Sequence, residues 1–271
     1  MNNPLVSIII ACKNNAEYID KCLESVKNQT YKNWELIIVD NFSSDKTFEI
    51  AKNYTDKVFQ IGPERSVQFN FGFGKSSGEL IYRIGAEFVL ELDVIDKCVK
   101  KINEGYDALA LHNRSVGDSI WAKVRFFERE SYRNDDVVVA VRFMRRDVFK
   151  NVGMFDESLV AGEDFDLHNR IVEMGYKWTH VDAVENHIGE PKNIKEVWKK
   201  FYYYGRTINR YSKKNKNVSK LQLVFFRPSF KKVQKELIKY PKLFIYFYIY
   251  LSIKYVAGFL GLIVGTPKKF R

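Results

Sequence analysis

Short apolar runs alternate with helical periodicity along the first third of the chain. The apolar runs span residues 6–11, 34–39, 58–61 and 80–84. Between the first two, apolar side chains recur at the i, i+3, i+4, i+7 spacing of an amphipathic helix, at Ile19, Cys22, Leu23 and Val26. Strands that alternate with helices predict a parallel α/β sheet, whose ligands bind at the carboxyl ends of the strands.

The remainder of the chain is less regular. We predict strands at residues 108–112, 137–144 and 178–181, and helices at residues 119–130, 162–174 and 194–210. Residues 213–220 are polar and basic, and we interpret them as a linker. The expected organisation is one α/β domain over residues 1–212, followed by a basic linker and a membrane-associated helical tail over residues 213–271.

The net charge of +11 is unevenly distributed along the chain. Residues 192–242 contain 16 Lys and Arg but two Glu, and residues 243–271 contain four more basic residues and no acid, so the first 191 residues carry a net charge of −7. This asymmetry indicates an anionic partner for the tail, either a membrane surface or nucleic acid. We expect a membrane surface and no nucleic acid, because the basic segment adjoins an apolar run and not a recognition fold.

The apolar run of the tail, residues 243–264, contains one charged residue, Lys254. As a helix it would be about 33 Å long, which is enough to cross the hydrocarbon core of a bilayer. Lys254 at its centre would cost about 2.5–3.5 kcal/mol there, and the tyrosines of this run suit an interface better. The sequence therefore leaves several alternatives open. The segment is a membrane span, or it lies in the membrane interface as one helix or as two short helices broken near Lys254, or it is a helix packed on the protein or on a second subunit.

Composition excludes several other classes of protein. Hydrophobic residues make up 46% of the chain, which is too many for an intrinsically disordered protein. Three cysteines are too few for a disulfide framework or a four-cysteine zinc site, and we expect them to be buried thiols of a cytoplasmic protein. Residues 1–4 lead straight into a strand pattern, so we expect no signal peptide. The sequence contains neither a P-loop nor a Gly-x-Ser-x-Gly nucleophile elbow.

Three groups of short motifs follow one another between about residues 4 and 211. The first group comprises VSIIIA at 6–11, ELIIVD at 35–40 and SDKT at 44–47. The second comprises NFG at 70–72, SGE at 77–79 and GAE at 85–87, and the third comprises GMFDE at 153–157 and GEDFDL at 162–167. In this order and spacing they resemble the family-two glycosyltransferases. The resemblance implies a GT-A fold, with a mixed sheet and flanking helices, and a nucleotide-diphosphate sugar as donor.

Asp40 ends the second predicted strand, where a carboxylate can accept a hydrogen bond from a nucleotide base or a ribose hydroxyl. The resemblance implies that Asp40 contacts the nucleotide. It also implies that the backbone at Ala11 and the side chain of Asn14 form the opposite wall of that site. The alternative is structural: Asp40 begins a turn, and Asn14 caps the following helix.

The tripeptide Gly85-Ala86-Glu87 departs from the pattern of the family, which usually has Asp-x-Asp at this place. The last carboxylate of that pattern binds a divalent cation that neutralises the diphosphate of the donor. Glu87 can hold Mg²⁺ or Mn²⁺ with help from His187, since Mg²⁺ accepts one or two carboxylates together with phosphates and water. Otherwise donor binding has been lost, or basic groups replace the metal, and the candidates are Arg65, Lys75 and Arg83.

Glu163 and Asp164 open the helix predicted at residues 162–174. Acids at a helix N-terminus are stabilised by the helix dipole, so capping is the structural alternative. The resemblance implies instead that this pair is catalytic and that Asp164 takes the proton from the acceptor hydroxyl. Asp166 is expected to be structural.

The expected activity is the inverting transfer of a sugar to a hydroxyl group of a lipid-linked or membrane-bound glycan. The basic tail would bring the acidic domain to the cytoplasmic face of the cell membrane. The alternative is a catalytically silent GT-A homologue that acts as a binding or partner protein, and Gly85 is the residue that favours this alternative.

Overall fold

The computed structural model describes residues 3–224 and 227–265 and contains two compact units. Unit 1 consists of Met1–Asn113, Ala140–Glu157 and Leu167–Gly189. Unit 2 consists of Arg114–Val139, Ser158–Asp166 and Glu190–Arg271. Each unit is therefore assembled from segments that are distant in the sequence. The boundary that we expected at residue 212 stays a prediction.

One mixed sheet of eight strands forms within the described residues. The strands are β1 (Val6–Cys12), β2 (Trp34–Asp40), β3 (Val58–Gln60), β4 (Leu80–Gly85), β5 (Phe88–Leu90), β6 (Ala108–Ser115), β7 (Val141–Arg145) and β8 (Trp178–His187). Their order in the sheet is β3-β2-β1-β4-β7-β6-β8-β5. The pairs β3-β2, β2-β1 and β1-β4 are parallel, whereas β4-β7, β7-β6 and β8-β5 are antiparallel. The mixed sheet with flanking helices is confirmed.

Eleven α-helices occur in the described part of the chain. They are α1 (Ile19–Lys27), α2 (Thr47–Lys52), α3 (Arg65–Gly74), α4 (Val94–Asn103), α5 (Ile120–Ser131), α6 (Arg146–Asn151), α7 (Glu163–Glu173), α8 (Ile194–Lys214), α9 (Lys216–Gln222), α10 (Lys231–Leu237) and α11 (Pro241–Val264). Helix α7 begins in unit 2 and ends in unit 1. The other helices of unit 1 are α1 to α4 and α6, and the remaining five belong to unit 2.

Alternate residues of β1 enter two different cores of unit 1. Ile8 and Ile10 pack with side chains of α1 and α4 on one face of the sheet. Ile9 and Ala11 pack with side chains of α3, α6 and α7 on the other face. Successive side chains of a strand point to opposite faces, so helices cover both sides of β1 and bury it from end to end.

The register of the sheet brings the ends of four strands together. Cys12 pairs with Asp40, and Asp40 pairs with Gln60. On the other side of β1, Ala11 pairs with Gly85. The carboxyl ends of β1 to β4 therefore form one edge of the sheet, which we call the strand-end edge and define by Cys12, Asp40, Gln60 and Gly85.

Several predicted segments differ in the structure, and β6 and β8 extend three and six residues beyond their predicted ends. Strand β7 begins at Val141, four residues later than predicted, because Asp135 Oδ1 accepts hydrogen bonds from the backbone N–H groups of Val137 and Val138 and closes a turn there. Residues 213–220, which we interpreted as a linker, are largely helical, since α8 ends and α9 begins within them.

Unit 2 is organised around α11, which packs against α8 and α5. Its core is rich in aromatic side chains, among them Trp121, Phe230, Phe247 and Tyr250. Helices α8 and α11 approach closely where both carry glycine. A Cβ atom added at Gly205 would overlap the carbonyl oxygen of Gly258, so any side chain at residue 205 would push the two helices apart.

Helix α11 buries one side and exposes an apolar side. Among the described residues it is the one helix long and apolar enough to cross a membrane, with a mean hydropathy of 1.7 and 28% burial in its most apolar stretch. Five exposed apolar side chains form a row along α11, and we call this row the exposed face: Ile245, Ile249, Val256, Phe259 and Ile263. Lys254 lies outside this row, because its ammonium is 2.5 Å from Glu128 Oε1 of α5.

Candidate functional site

Asp40 is fully buried at the strand-end edge, and each of its carboxylate oxygens accepts two hydrogen bonds. Oδ1 accepts from Ser43 Oγ and, at 3.6 Å, from the thiol of Cys12. Oδ2 accepts from the backbone N–H of Ser43 at 2.9 Å and from Gln60 Nε2 at 3.0 Å. Asp40 therefore fixes the loop after β2 and is surrounded by polar groups. Burial, and next the charge of Asp40, raise the pKa of the Cys12 thiol, which stays protonated at neutral pH.

Asn14 joins the loop after β1 to the loop after β2. Its backbone has a φ of +49°, in the left-handed region that asparagine tolerates. Its Oδ1 accepts the N–H of Ser44 at 2.8 Å, and its own N–H donates to Ser43 Oγ at 2.8 Å. The expectation that Asn14 caps α1 is wrong, because α1 begins at Ile19 and the side chain of Asn14 is held by the other loop. Ala11 is enclosed within β1 and is 4% exposed.

The side chain of Glu87 folds back over Gly85. A Cβ atom added at Gly85 would lie 2.7 Å from Glu87 Oε2 and 2.9 Å from Oε1. A Cβ atom added at Gly189 would lie 2.8 Å from Glu87 Cβ. The carboxylate of Glu87 therefore occupies the space beside residue 85 that a side chain there would enter. The glycine at residue 85 and the longer acid at residue 87 are physically linked, because each accommodates the other.

The structure brings Glu87 and His187 together, as predicted. Phe88 of β5 pairs with His187 of β8, and the imidazole lies edge-on to the Phe88 ring at 4.8 Å between centroids. His187 Nε2 is 3.8 Å from Glu87 Oε1. No group of three or more metal-ligating side chains occurs in residues 3–224 and 227–265. This pair of donors fits a divalent cation whose remaining ligands are phosphate oxygens and water.

Arg65 is the basic candidate that follows a segment tied to the loop after β2. It is the exposed first residue of α3 and follows Pro63 by two positions. The carbonyl oxygen of Pro63 accepts a hydrogen bond from Asn41, which directly follows Asp40. The start of α3 is therefore fixed close to the loop after β2, and Arg65 is exposed there.

The other two basic candidates have different surroundings. Lys75 follows the last residue of α3, so it lies about 15 Å along the helix from Arg65, and its ammonium is 5.4 Å from the centroid of the Phe71 ring. Arg83 is 4% exposed, donates from Nη2 to the carbonyl oxygen of Val141 at 2.8 Å, and stacks 5.2 Å from the Phe155 ring. These contacts tie Arg83 to the core of unit 1.

In unit 2, the acidic pair Glu163 and Asp164 begins α7 directly after Gly162. Glu163 is buried, whereas Asp164 is partly exposed. Gly162 has a φ of +84°, and a Cβ atom there would lie 2.5 Å from the ring of Tyr211. Glycine is therefore required before the acidic pair both by the backbone conformation and by the close approach of this ring.

Asp166 anchors the start of α7 to the end of α8. It is fully buried, and it accepts hydrogen bonds from Lys214 Nζ and from Asn215 Nδ2, both at 3.1 Å. These contacts favour the structural role that we expected for Asp166. They also show that residues of the predicted linker hold the segment that carries Asp164.

Sequence reasoning missed these anchors. Tyr211, Lys214 and Asn215 lie at or beyond the predicted domain boundary, where a basic, polar composition indicated solvent exposure. One signal was available, since a glycine directly before a helix is typical of a backbone with positive φ or of a close approach by another group. Ser43 and Gln60 were missed as well, because polar residues are common in turns and carry no distinctive spacing.

The fold and the strand-end edge define a GT-A protein, and comparison with known proteins gives the family. The sequence profile of Glycosyl transferase family 2 matches residues 7–153. The chain therefore belongs to this family, and it is a glycosyltransferase.

Two relatives cover most of the chain. Glycosyltransferase AglE of Haloferax volcanii is 28% identical over 222 residues, which is 75% of this chain and 72% of the relative. A Methanococcus voltae protein named dolichyl N-acetyl-alpha-D-glucosaminyl phosphate 3-beta-D-2,3-diacetamido-2,3-dideoxy-beta-D-glucuronosyltransferase is 25% identical over 236 residues, which is 74% of this chain and 71% of the relative.

Two solved structures have the same fold at low sequence identity. The mannosyltransferase PcManGT from Pyrobaculum calidifontis, in complex with GDP-Man and Mn²⁺, has a TM-score of 0.65 and 14% identity, with 96% of this chain and 87% of that chain covered. TarS 1-349 of S. aureus, in complex with UDP-GlcNAc, has a TM-score of 0.55 and 15% identity, with 95% and 90% covered. These likenesses support the GT-A fold.

Proposed function

We propose that the chain is an inverting glycosyltransferase that moves a sugar from a nucleotide-diphosphate sugar to a hydroxyl group of a lipid-linked or membrane-bound glycan. The observation that carries this proposal is the set of polar and charged groups at strand ends, namely Asp40 at the end of β2, Glu87 after β4 and His187 at the end of β8. The donor class is supported by the two solved structures, which hold GDP-Man and UDP-GlcNAc. The acceptor class is supported by the name of the Methanococcus voltae relative, which includes a dolichyl-linked sugar phosphate.

In this proposal, the nucleotide binds against the loops after β1 and β2, which Asp40 and Asn14 hold in place. The carboxylate of Asp40 has four partners, so a base or ribose that contacts it must replace a movable donor, which is either the Ser43 hydroxyl or the Gln60 amide. Asn14 holds the opposite loop and forms the second wall. Arg65 is the cation best placed to face the diphosphate.

Glu87 and His187 are the residues that would hold a divalent cation, with the diphosphate completing its ligands. Such a cation would neutralise the charge on the departing diphosphate. Because residue 85 is glycine, Glu87 offers a single carboxylate to the cation where the family usually has two, and its side chain fills the space beside Gly85. We therefore expect this chain to bind the cation weakly unless the donor is present.

Asp164 acts as the general base. The acceptor oxygen attacks the anomeric carbon, the bond from that carbon to the diphosphate oxygen breaks, and the hydroxyl proton passes to the carboxylate of Asp164. The nucleoside diphosphate leaves, and the configuration at the anomeric carbon inverts. A positioned base contributes typically 10²–10⁴-fold to such a step.

Asp164→Asn tests the base. We expect turnover to fall by about 10²–10⁴-fold, with donor affinity nearly unchanged, because the carboxylate acts on the acceptor. The matched control is Asp147→Asn, which removes an acid from the first turn of another helix. Near wild-type turnover in Asp164→Asn would overturn the assignment, whereas an equal loss in the control would indicate a general effect of helix-start acids.

Chelation tests the metal site. We expect EDTA to abolish activity and Mn²⁺ to restore it, and Glu87→Gln to weaken nucleotide binding more in Mn²⁺ than in EDTA. Gly85→Asp adds a second carboxylate and moves the flexible end of the Glu87 side chain out of the space beside residue 85. We expect the two carboxylates together to tighten cation binding. Full activity in EDTA would contradict the metal role and favour Arg65 as the counter-charge of the diphosphate.

Helix α11 lies in this proposal in the interface of the cytoplasmic leaflet, where nucleotide-sugars are available. Its exposed face is apolar, and five lysines lie in the preceding segment and the first turn of α11, namely Lys231, Lys232, Lys235, Lys239 and Lys242. Each basic residue close to an anionic surface contributes about 1 kcal/mol. A spanning orientation is disfavoured, because it would carry the buried Lys254 and Glu128 pair towards the bilayer centre.

Flotation with anionic liposomes tests the membrane contact. Truncation is unsuitable, since removal of α11 would take Phe247, Tyr250 and Leu251 out of the core of unit 2, so point variants are used. Ile249→Glu with Phe259→Glu on the exposed face should abolish flotation, and Leu221→Glu, an exposed apolar residue of α9, is the control. Equal flotation of all three proteins would contradict the proposal, and release by detergent but not by salt would favour a membrane span.

A further inference from the structure

Unit 2 gathers more positive than negative charge at one buried place. The cations are Arg125, Arg129, Arg227 and Lys254, and the carboxylates are Glu128 and Glu190. We call these six residues the cation cluster. The side chains of Arg125, Arg129 and Lys254 are 12%, 13% and 16% exposed, and both carboxylates are at most 2% exposed. The cluster thus has a net charge of +2 and is largely shielded from solvent.

Both carboxylates of the cluster are fully engaged. Glu128 Oε1 accepts from Lys254 Nζ at 2.5 Å and from the phenol of Tyr132 at 3.1 Å, and its Oε2 accepts from Arg125 Nη1. Glu190 pairs with Arg125 Nε at 3.3 Å and with Arg129 Nη2 at 3.2 Å. Two carboxylates are therefore shared among three cations before Arg227 is counted.

Donor groups of the cluster remain available for a ligand. Arg129 Nε is buried and has no hydrogen-bond acceptor in the described part of the chain. Arg227 donates to the backbone carbonyl oxygens of Gln222 and Val224, and it forms no salt bridge within the described residues. Its guanidinium stacks 5.1 Å from the centroid of the Tyr132 ring, which fixes its orientation beside the cluster.

Burial is the main influence on the titration of Lys254, and neighbouring cations add to it. Burial, and then the charges of Arg227 and Arg125, lower the pKa of Lys254 to about 8, although Glu128 opposes this change. Burial and Arg125 likewise lower the pKa of Arg129 to about 10. Buried charge without a counter-charge is costly, so an anion that entered the cluster would be bound favourably.

We propose that the cation cluster binds a phosphate group. A phosphate brings one to two negative charges and several acceptor oxygens, which suit two guanidinium groups and an ammonium at once. The carrier of this phosphate is either a lipid headgroup or a free anion. The binding site itself does not depend on the proposed transfer reaction, and only the lipid carrier rests on the proposed membrane contact of α11.

Thermal unfolding in inorganic phosphate tests the site, with sodium chloride at equal ionic strength as the reference. A ligand that binds the folded state raises the unfolding temperature with its concentration. We expect phosphate to raise it in the wild-type protein, and Arg129→Gln and Arg227→Gln to weaken phosphate binding about tenfold or more. Arg133→Gln, two residues beyond the end of α5, is the matched control and should behave like the wild type.

A direct readout separates ligand binding from a merely structural role. Phosphate should raise the pKa of Lys254 when it is followed by NMR of the lysine side chains, since a bound anion stabilises the ammonium. No stabilisation beyond that of chloride and no change in this pKa would overturn the proposal. Donor-sugar binding at the strand-end edge, measured on the same samples, shows whether the proposed glycosyltransferase site is intact.

Vesicles distinguish the two carriers of the phosphate. Phosphatidylcholine vesicles that contain phosphatidic acid should bind the wild-type protein more tightly than Arg129→Gln, whereas Arg133→Gln should bind like the wild type. This result with vesicles supports a lipid phosphate. Stabilisation by inorganic phosphate without any effect of Arg129→Gln on vesicle binding supports a free anion.

Discussion

Two buried charge clusters, one in each unit, differ in their balance. In unit 1, Arg142 Nε lies 2.7 Å from Glu185 Oε2, and Glu185 Oε1 also accepts from the phenol of Tyr82 at 2.7 Å. The guanidinium of Arg142 stacks 4.5 Å from the Phe88 ring centroid. One cation and one carboxylate therefore match. In unit 2, the cation cluster sets four cations against two carboxylates.

This difference in charge balance indicates a structural role for the buried pair in unit 1 and a ligand-binding role for the cation cluster in unit 2. The pair in unit 1 joins β7 to β8, and its contacts through Phe88 lead to His187, so its balance serves to position the sheet. A balanced pair needs nothing further, because each charge already has its partner. The excess positive charge of the cation cluster must be relieved in another way. A cation can lose its proton, be partly solvated or bind an anionic ligand.

The largest loss of stability is expected when one of the two carboxylates of the cation cluster is neutralised. Glu128→Gln should destabilise unit 2 by about 3–5 kcal/mol, because it leaves buried cations with a single carboxylate. Hydrogen exchange of the peptides of α5, compared with urea unfolding of the whole chain, measures this effect. Glu130→Gln, two residues along the same helix, is the control and should cost less than about 1 kcal/mol. A similar small cost for Glu128→Gln would show that the cluster is well solvated.

The balanced pair should respond differently to a double substitution. Glu185→Gln should cost about 3 kcal/mol, and the double variant Arg142→Met with Glu185→Leu should recover most of this loss, since it removes both charges. The corresponding double variant in unit 2, Lys254→Met with Glu128→Leu, should recover little, because three arginines would then share Glu190. If the two double variants recover stability equally in urea unfolding, the proposed difference in charge balance between the units is contradicted.

The sheet of unit 1 could be predicted from the sequence because its signals are local. Apolar runs and helical spacing gave the strands and helices around Asp40, and the order of motifs gave the GT-A family. The pairing of Glu87 with His187 followed from the family resemblance alone. The fold of Glu87 over Gly85 could not be predicted, since it depends on how one side chain fills the space left by another.

The helices of unit 2 were harder to predict because their signals are distant in the sequence. Lys254 looked like a charge inside a bilayer, and only its partner Glu128, more than a hundred residues earlier, makes it part of a protein core. Similarly, Lys214 looked like a linker residue, whereas its ammonium binds the buried Asp166. Composition describes a segment by itself and therefore cannot reveal a partner from another segment.

Acid should weaken unit 1 through Glu35. Burial raises the pKa of Glu35, but hydrogen bonds from Lys57 and Ser7, both at 2.6 Å, lower it overall to about 2. Since the folded pKa lies below the ordinary 4.5, the stabilisation is complete above pH 4.5 and is lost as the pH falls towards 2. Between pH 4.5 and 3 the loss should reach roughly 2 kcal/mol. Glu35→Gln should be less stable at neutral pH and should lack this part of the acid dependence in hydrogen exchange of β1 and β2.

Mild alkali should strengthen unit 2 through Lys254, and this is the smallest of the expected effects. The pKa of Lys254 is about 8 in the folded protein, against an ordinary 10.5, so above pH 8 the unfolded state binds more protons and the free energy of unfolding rises with pH. The gain between pH 8 and 9 should be at most about 1 kcal/mol. Lys254→Met should abolish it, and Lys235→Met, an exposed lysine of α10, should retain it. Saturating inorganic phosphate should flatten the same slope in the wild type, because a bound anion returns the pKa of Lys254 towards its ordinary value. If phosphate does not change how the free energy of unfolding depends on pH, an anion does not bind close to Lys254.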